Sequence, residues 1–287
     1  GRYVLVKHQY GNNHEWLVLD TQSISNSKNI SKILDIKLDS VKFYGNSGRM
    51  FYGLTDGNIR KLDIGAKTIS ATIISKVKKF NIHEPGVISY VGTDANDSKT
   101  SVAGIYRDGD DSFYILRRTK SGEPLNIAAA TYRNDDYVAI AEGKKVDLLK
   151  GDYPRGASSD TSTLKPWKAF DLSGQVDNLM FNSAGSILIA GSDKSFMSYE
   201  IEYERLNSAA LDTDQKSPTI KWLDNAYLWS DYDNRLTIRE FDGTNSHILN
   251  AVESKFDAVL TNNGRYLYSI NKSGDGYILQ RARLITG

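Results

Sequence analysis

Four stretches of this chain share one grammar, and that repetition restricts the possible folds more than any other feature. The chain opens on "GRYVLVKHQYGNNHEWLVLD". "NSGRMFYGLTDGNIRKLDI" occupies 46–64, "SAGSILIAGSDKSFMSYEI" 183–201 and "NNGRYLYSINKSGDGYILQR" 262–281. Each holds a turn, a strand of alternating or continuous β-formers, a polar turn and a second strand. Val, Ile, Tyr, Phe and Trp suit the pleated, half-buried surface of a strand. Gly1, Gly48, Gly185 and Gly264 each precede such a strand, where a small residue eases a tight reversal.

The equivalent turns between these anchors are "EPG" at 84–86, "RNDD" at 133–136 and "LDN" at 223–225. Intervals of roughly 38 to 50 residues match the blades of a propeller. Helical solenoids of similar period need long amphipathic helices, which this sequence does not supply. The strongest exception is "AKTISATIISKVKKF" at 66–80, where Ile69, Ile73, Val77 and Phe80 fit a helical stripe. Its β-branched content favours an outer strand instead.

The expectation is therefore an all-β chain of about seven four-stranded blades, forming one propeller domain over 1–287. The units run 1–35, 36–75, 76–120, 121–174, 175–215, 216–254 and 255–287, with six blades as the alternative. Unit one reads as starting at its second strand and unit seven as stopping after its third. Propellers commonly close by pairing strands from both chain ends, because an open edge exposes hydrogen-bonding groups. A segment upstream of Gly1 is expected to supply what is missing, so the chain reads as part of a longer one.

Composition narrows the function. Thirty-six Lys and Arg against 35 Asp and Glu leave a formal charge of +1, with no general pull toward nucleic acid or acidic membranes. The absence of Cys rules out disulfides, thiolate catalysis and zinc–thiolate sites. No apolar run approaches the roughly 18 residues that cross a bilayer as a helix. The opening ten residues do not form a signal peptide, because their apolar stretch is short and polar residues follow at once.

"FNSAGSILIAG" and "LTNNGRYLYSI" resemble the repeat of TolB-like β-propellers, and "YDNRLTIREFDGTNSHIL" is similar to their strand–turn–strand closed by Asp-Gly. The tryptophan–aspartate ending of WD repeats and the double glycine of kelch repeats are missing. Through "GVISYVG" and "EFDGTN" the chain also looks like the C-terminal propeller of PEGA-domain proteins from small-genome bacteria. No PEGA module lies within these residues. The resemblance implies a membrane-anchored, outward-facing protein whose propeller is a binding or scaffolding surface, held to the membrane only through a segment outside this chain. It supplies no catalytic residues.

Four kinds of candidate chemistry remain. The acidic turns "TDANDSKT", "RDGDDS", "SDYDNR" and "SGDGY" are rich in the oxygens that calcium requires, and Asp108, Asp110 and Asp111 form the best candidate set. None follows the EF-hand order, and Asp, Asn and Gly are also ordinary turn residues. Among catalytic signatures, the sialidase Asp box, the tryptophan-docking repeats of quinone-dependent dehydrogenases and the G-x-S-x-G elbow are all missing. Paired glycosidase carboxylates come from different blades, so sequence spacing does not reveal them. His8 and His14 flank the turn "QYGNN", where a hairpin could bring them together as metal ligands, although solvated turn residues are the plainer reading. Finally, "KGDYPRGASSDTSTLKPWK" at 150–168 is the longest loop, and Tyr153, Arg155 and Trp167 are of the types that dominate binding hot spots. The expected function is thus a non-catalytic binding or scaffolding module without a cofactor, meeting a protein or glycan at the cell surface. The alternative is a glycan hydrolase or lyase with acidic residues at a central channel.

Overall fold

Strands such as "MFYGLT", "VISYVG" and "ILIAG" are apolar on both faces, which suits a strand buried on both sides. Each therefore needs a neighbouring sheet above and below it. The computed structural model describes residues 2–45, 47–109, 113–153, 163–211, 220–231, 234–254, 256–261 and 264–284. Two compact units divide the chain: Gly1–Leu125 with Tyr153–Thr163, and Asn126–Asp152 with Leu164–Gly287.

The first unit contains three sheets. Strands β1 (Tyr3–Tyr10), β2 (Asn13–Asp20) and β3 (Lys28–Asn29) form the first, followed by the short helix α1 (Ile30–Leu34). The second comprises β4 (Ser40–Phe43), β5 (Met50–Thr55), β6 (Asn58–Asp63) and β7 (Thr68–Ile69). In the third are β8 (Val77–Glu84), β9 (Val87–Thr93), β10 (Ser101–Arg107) and β11 (Phe113–Thr119).

The second unit contains four. Its first sheet is β12 (Leu125–Tyr132), β13 (Asp135–Glu142), β14 (Lys145–Gly151) and β15 (Lys165–Asp171). Next come β16 (Asn178–Phe181), β17 (Ile187–Gly191), β18 (Ser195–Glu200) and β19 (Arg205–Ala210). Then follow β20 (Ile220–Trp222), β21 (Tyr227–Ser230), β22 (Arg235–Glu240) and β23 (His247–Ala251). The last holds β24 (Val259–Leu260), β25 (Tyr266–Ser273) and β26 (Gly276–Arg283).

In every sheet consecutive strands are neighbours, the up-and-down order of propeller blades. The fold is an all-β propeller arrangement of seven blades. Five blades have four strands among the described residues; the first and last have three, each drawn from its own stretch of chain. Residues 66–80 form no helix. Ile69 lies in β7, Ile74 bridges Ile59, and Val77 and Phe80 belong to β8 of the next sheet.

The core lies between sheets. Phe51 packs with Val18, Ile30 and Leu62 toward the first sheet, while its neighbour Tyr52 packs with Phe80, Ile88 and Tyr90 toward the third. Leu188 and Ala190 face Val146 and Leu148, whereas Ile189 between them faces Ile220 and Leu228. Alternation along a strand thus feeds two interfaces at once. Polar ties reinforce them. Asn126 Nδ2 donates to Val176 O at 2.8 Å, and Asn182 Nδ2 to Asn225 O at 3.0 Å. Asn178 Nδ2 donates to Ile220 O.

Candidate functional site

The 150–168 loop leads into β15, the outer strand of its sheet. Pro166 lacks an N–H, and an outer strand tolerates it because only one side of the strand has a ladder to complete. The register passes from Leu149↔Pro166 to Leu148↔Lys168, so Trp167 is the extra residue of a β-bulge. A bulge re-aims the side chain it carries. The Trp167 ring lies 5.4 Å from Tyr137 and 5.7 Å, edge-on, from Tyr199 of the next sheet. Phe170 stacks on Tyr199 at 6.2 Å. Lys150 Nζ and Lys168 Nζ stand 5.4 and 5.6 Å from the Trp167 ring centre.

Both lysines are held in place by acids. Lys150 pairs with Asp135 at 2.9 Å, which raises its pKa, and Lys168 pairs with Glu204 at 2.7 Å. Beside them Glu202 accepts from Tyr132 Oη at 2.6 Å and from Arg133 at 2.5 Å, and these two donors hold its carboxyl below the usual range. Tyr203, 70 % exposed, stands between Glu202 and Glu204 in the β18–β19 turn. The Tyr199 hydroxyl is buried without a hydrogen-bond partner among the described residues, and burial pushes its phenol up to about 12. The result is a half-buried indole within an aromatic cluster, rimmed by ordered charges of both signs. This arrangement suits binding, since aromatic and cationic side chains supply most hot spots.

The other residues singled out by sequence are placed differently. Tyr153 is 1 % exposed and meets His83 edge-on at 6.0 Å, in the first unit. Arg155 lies outside the described residues, as do Asp110 and Asp111. The Asp108 carboxylate accepts from Lys61 Nζ at 2.6 Å and Tyr44 Oη at 3.0 Å, tying the second sheet to the third. Desolvation raises the pKa of Asp108, but those two donors outweigh it and the net shift is downward. Among the described residues no group of three or more His, Cys, Asp or Glu is placed to hold a metal ion.

The two-histidine reading fails on register. His8 pairs with Glu15 and Gln9 with His14, so the two imidazoles project from opposite faces of the hairpin. The acidic turns close on their own backbone. Asp94 accepts from Asn96 N, Asp97 from Lys99 N, and Asp242 from both the amide and hydroxyl of Thr244. Of the "SDYDNR" pair, Asp231 is fully buried and Asp233 lies outside the described residues. Sequence reading missed Tyr137, Lys150 and Tyr199. They come from three strands: Tyr137 and Lys150 are cross-strand partners in β13 and β14, and Trp167 on its bulge meets both of them and Tyr199 of the next sheet.

No protein-family profile matches the chain, and neither does any curated protein sequence. Solved structures do. An oligogalacturonate lyase in complex with manganese aligns over 99 % of this chain and 86 % of its own, with a TM-score of 0.66 at 10 % identity. A protein assigned as a 6-phosphogluconolactonase from Bacteroides fragilis aligns over 97 % and 92 %, with a TM-score of 0.60 at 12 % identity. A chain of a mitotic checkpoint complex aligns over 99 % and 84 %, with a TM-score of 0.57 at 14 % identity. The likeness is one of fold. A lyase, a protein assigned as a lactonase and a checkpoint-complex chain share this architecture, which hosts many chemistries.

Proposed function

We propose that this chain is a non-catalytic β-propeller module that binds a protein or glycan partner at the bacterial cell surface. The resemblance to TolB-like propellers and to the C-terminal propeller of PEGA-domain proteins supports that location, with the membrane reached only through a segment outside this chain. The observation that carries the binding role is Trp167, set on a bulge between Lys150 and Lys168 and braced by Tyr137 and Tyr199. A rigid indole flanked by tethered cations loses little side-chain entropy on binding, so more of its contact energy is realised as affinity. Tyr153 is buried against His83 in the first unit, and Arg155 is the residue of the 150–168 stretch proposed to reach the partner.

The test is crosslinked recovery from bacterial surface fractions with the wild-type chain and with Trp167→Ala. One specific partner retained by the first and lost by the second supports the reading. Equal recovery by both removes Trp167 from it.

The fold shared with the oligogalacturonate lyase across 99 % of the chain prompts one second reading, a lyase or hydrolase acting on glycans. Incubation with oligogalacturonate and added manganese, followed by ultraviolet absorbance of unsaturated product, decides it. Turnover would replace the binding-module reading.

A further inference from the structure

A cavity of about 420 Å³ opens in the first unit between the β1–β2 turn and helix α1. That volume falls within the range of small-molecule sites. We propose that it binds a neutral saccharide. The inference goes beyond the reading above and does not depend on it, since Trp167 belongs to the other unit.

The argument begins with Glu15. Its Oε2 accepts from Asn29 Nδ2 at 2.6 Å, and Oε1 lies 3.4 Å from Tyr10 Oη. Asn29 is itself fixed, because its Oδ1 caps α1 by accepting from Lys32 N at 2.9 Å. The carboxylate is thus oriented before any ligand arrives, and one of its two contacts is long enough for a ligand hydroxyl to improve on. His14 is fixed as well. Its Nε2 lies 2.8 Å from Leu38 O, which also accepts from Trp16 Nε1 at 3.0 Å. A carbonyl can only accept, so His14 donates from Nε2 and its ring is held in one orientation.

The charges on the lining cancel. Lys32 and Lys37 stand against Glu15 and Asp35, so neither an anionic nor a cationic ligand gains a net Coulombic advantage. What remains is a dense mixture of donors and acceptors, including the Asn13 amide, which matches a ligand that both donates and accepts at every hydroxyl. One wall completes the match. Tyr10 is 46 % exposed and its ring sits 5.7 Å from His8, an aromatic surface with a polar tip. The C–H face of a sugar ring packs on such a surface while its hydroxyls reach the polar wall.

Saturation-transfer NMR of the whole chain tests this with glucose, galactose and N-acetylglucosamine at millimolar concentration, beside glucose 6-phosphate and glucosamine. At least one neutral sugar should receive saturation in preference to its charged counterparts. Tyr10→Ala and Asn13→Ala alter exposed side chains and should melt like the wild type, yet each should weaken that sugar by about tenfold. Trp167→Ala should leave the signal unchanged. The proposal is overturned if no neutral sugar binds, if only charged ones do, if binding survives both cavity substitutions, or if Trp167→Ala abolishes it.

Discussion

Gly185 and Gly264 stand at the same place in two repeats, yet substitution at the two sites will not cost the same. Both have positive φ, +73° and +67°, where an L side chain loses about 1–2 kcal/mol. A Cβ on Gly185 would also lie 2.5 Å from Thr131 O of the preceding sheet, whereas nothing among the described residues comes within 4 Å of one on Gly264. Overpacking adds about 1–3 kcal/mol at Gly185 alone. Urea unfolding should therefore show Gly185→Ala losing clearly more than Gly264→Ala, and equal losses would refute the close approach. Gly48 has a third reason, because the Tyr3 ring lies 2.6 Å from where its Cβ would be. One letter in a repeated motif thus answers three demands, and only the turn is visible from the motif. Arg at the next position shows a similar economy. Arg2 and Arg49 each fork onto an aspartate that ends the second strand of the hairpin that follows, Asp20 at the end of β2 and Asp63 at the end of β6, and those aspartates also accept from backbone amides two and three residues on.

At the level of strands and sheets, the repeat was legible because its physical cause is local. A strand apolar on both faces must be buried on both, and a polar turn must separate it from the next. All seven sheets accordingly fall within the units drawn from sequence, from Tyr3–Asn29 to Val259–Arg283. The aromatic cluster at Trp167 was not legible, because it depends on a single extra residue against Leu148 and Leu149 and on a partner, Tyr199, from the next sheet. Pro166 hinted at an outer strand and nothing more. The same cluster yields a test of its packing. The Tyr199 hydroxyl is buried with no hydrogen-bond partner among the described residues, so it contributes a desolvation penalty and no compensating bond. Tyr199→Phe keeps the ring against Trp167 and Phe170 and removes the penalty. Its melting temperature should equal or exceed that of the wild type, and a loss of more than about 1 kcal/mol would reveal a hydroxyl contact that this packing does not contain.

Across the whole molecule, the carboxylates set how the fold responds to acid. Asp20, Asp63, Asp94, Asp97, Glu202 and Asp242 all titrate below their usual values, each because a cation, hydroxyl or backbone amide bonds its charged form. Asp97 is the clearest. Hydrogen bonding from Lys120, and then from Lys99 N and Thr100, brings it from 3.8 to about 2. A folded-state value below the unfolded one means that the native protein binds fewer protons in that interval. The stabilisation is then complete above about pH 4 and disappears as the pH falls toward about 2. Thirty-six Lys and Arg would meanwhile lose their 35 acidic counterparts, so charge repulsion acts in the same direction. Asp97→Asn separates the two effects, because it removes one linked proton and leaves the rest of the charge almost unchanged. Urea midpoints measured at steps from about pH 5 to about pH 2 should fall for both proteins, with a shallower slope in the variant. A wild-type midpoint that stays flat through this interval would mean that these turns release no stabilisation when protonated. Parallel slopes would remove Asp97 from the account.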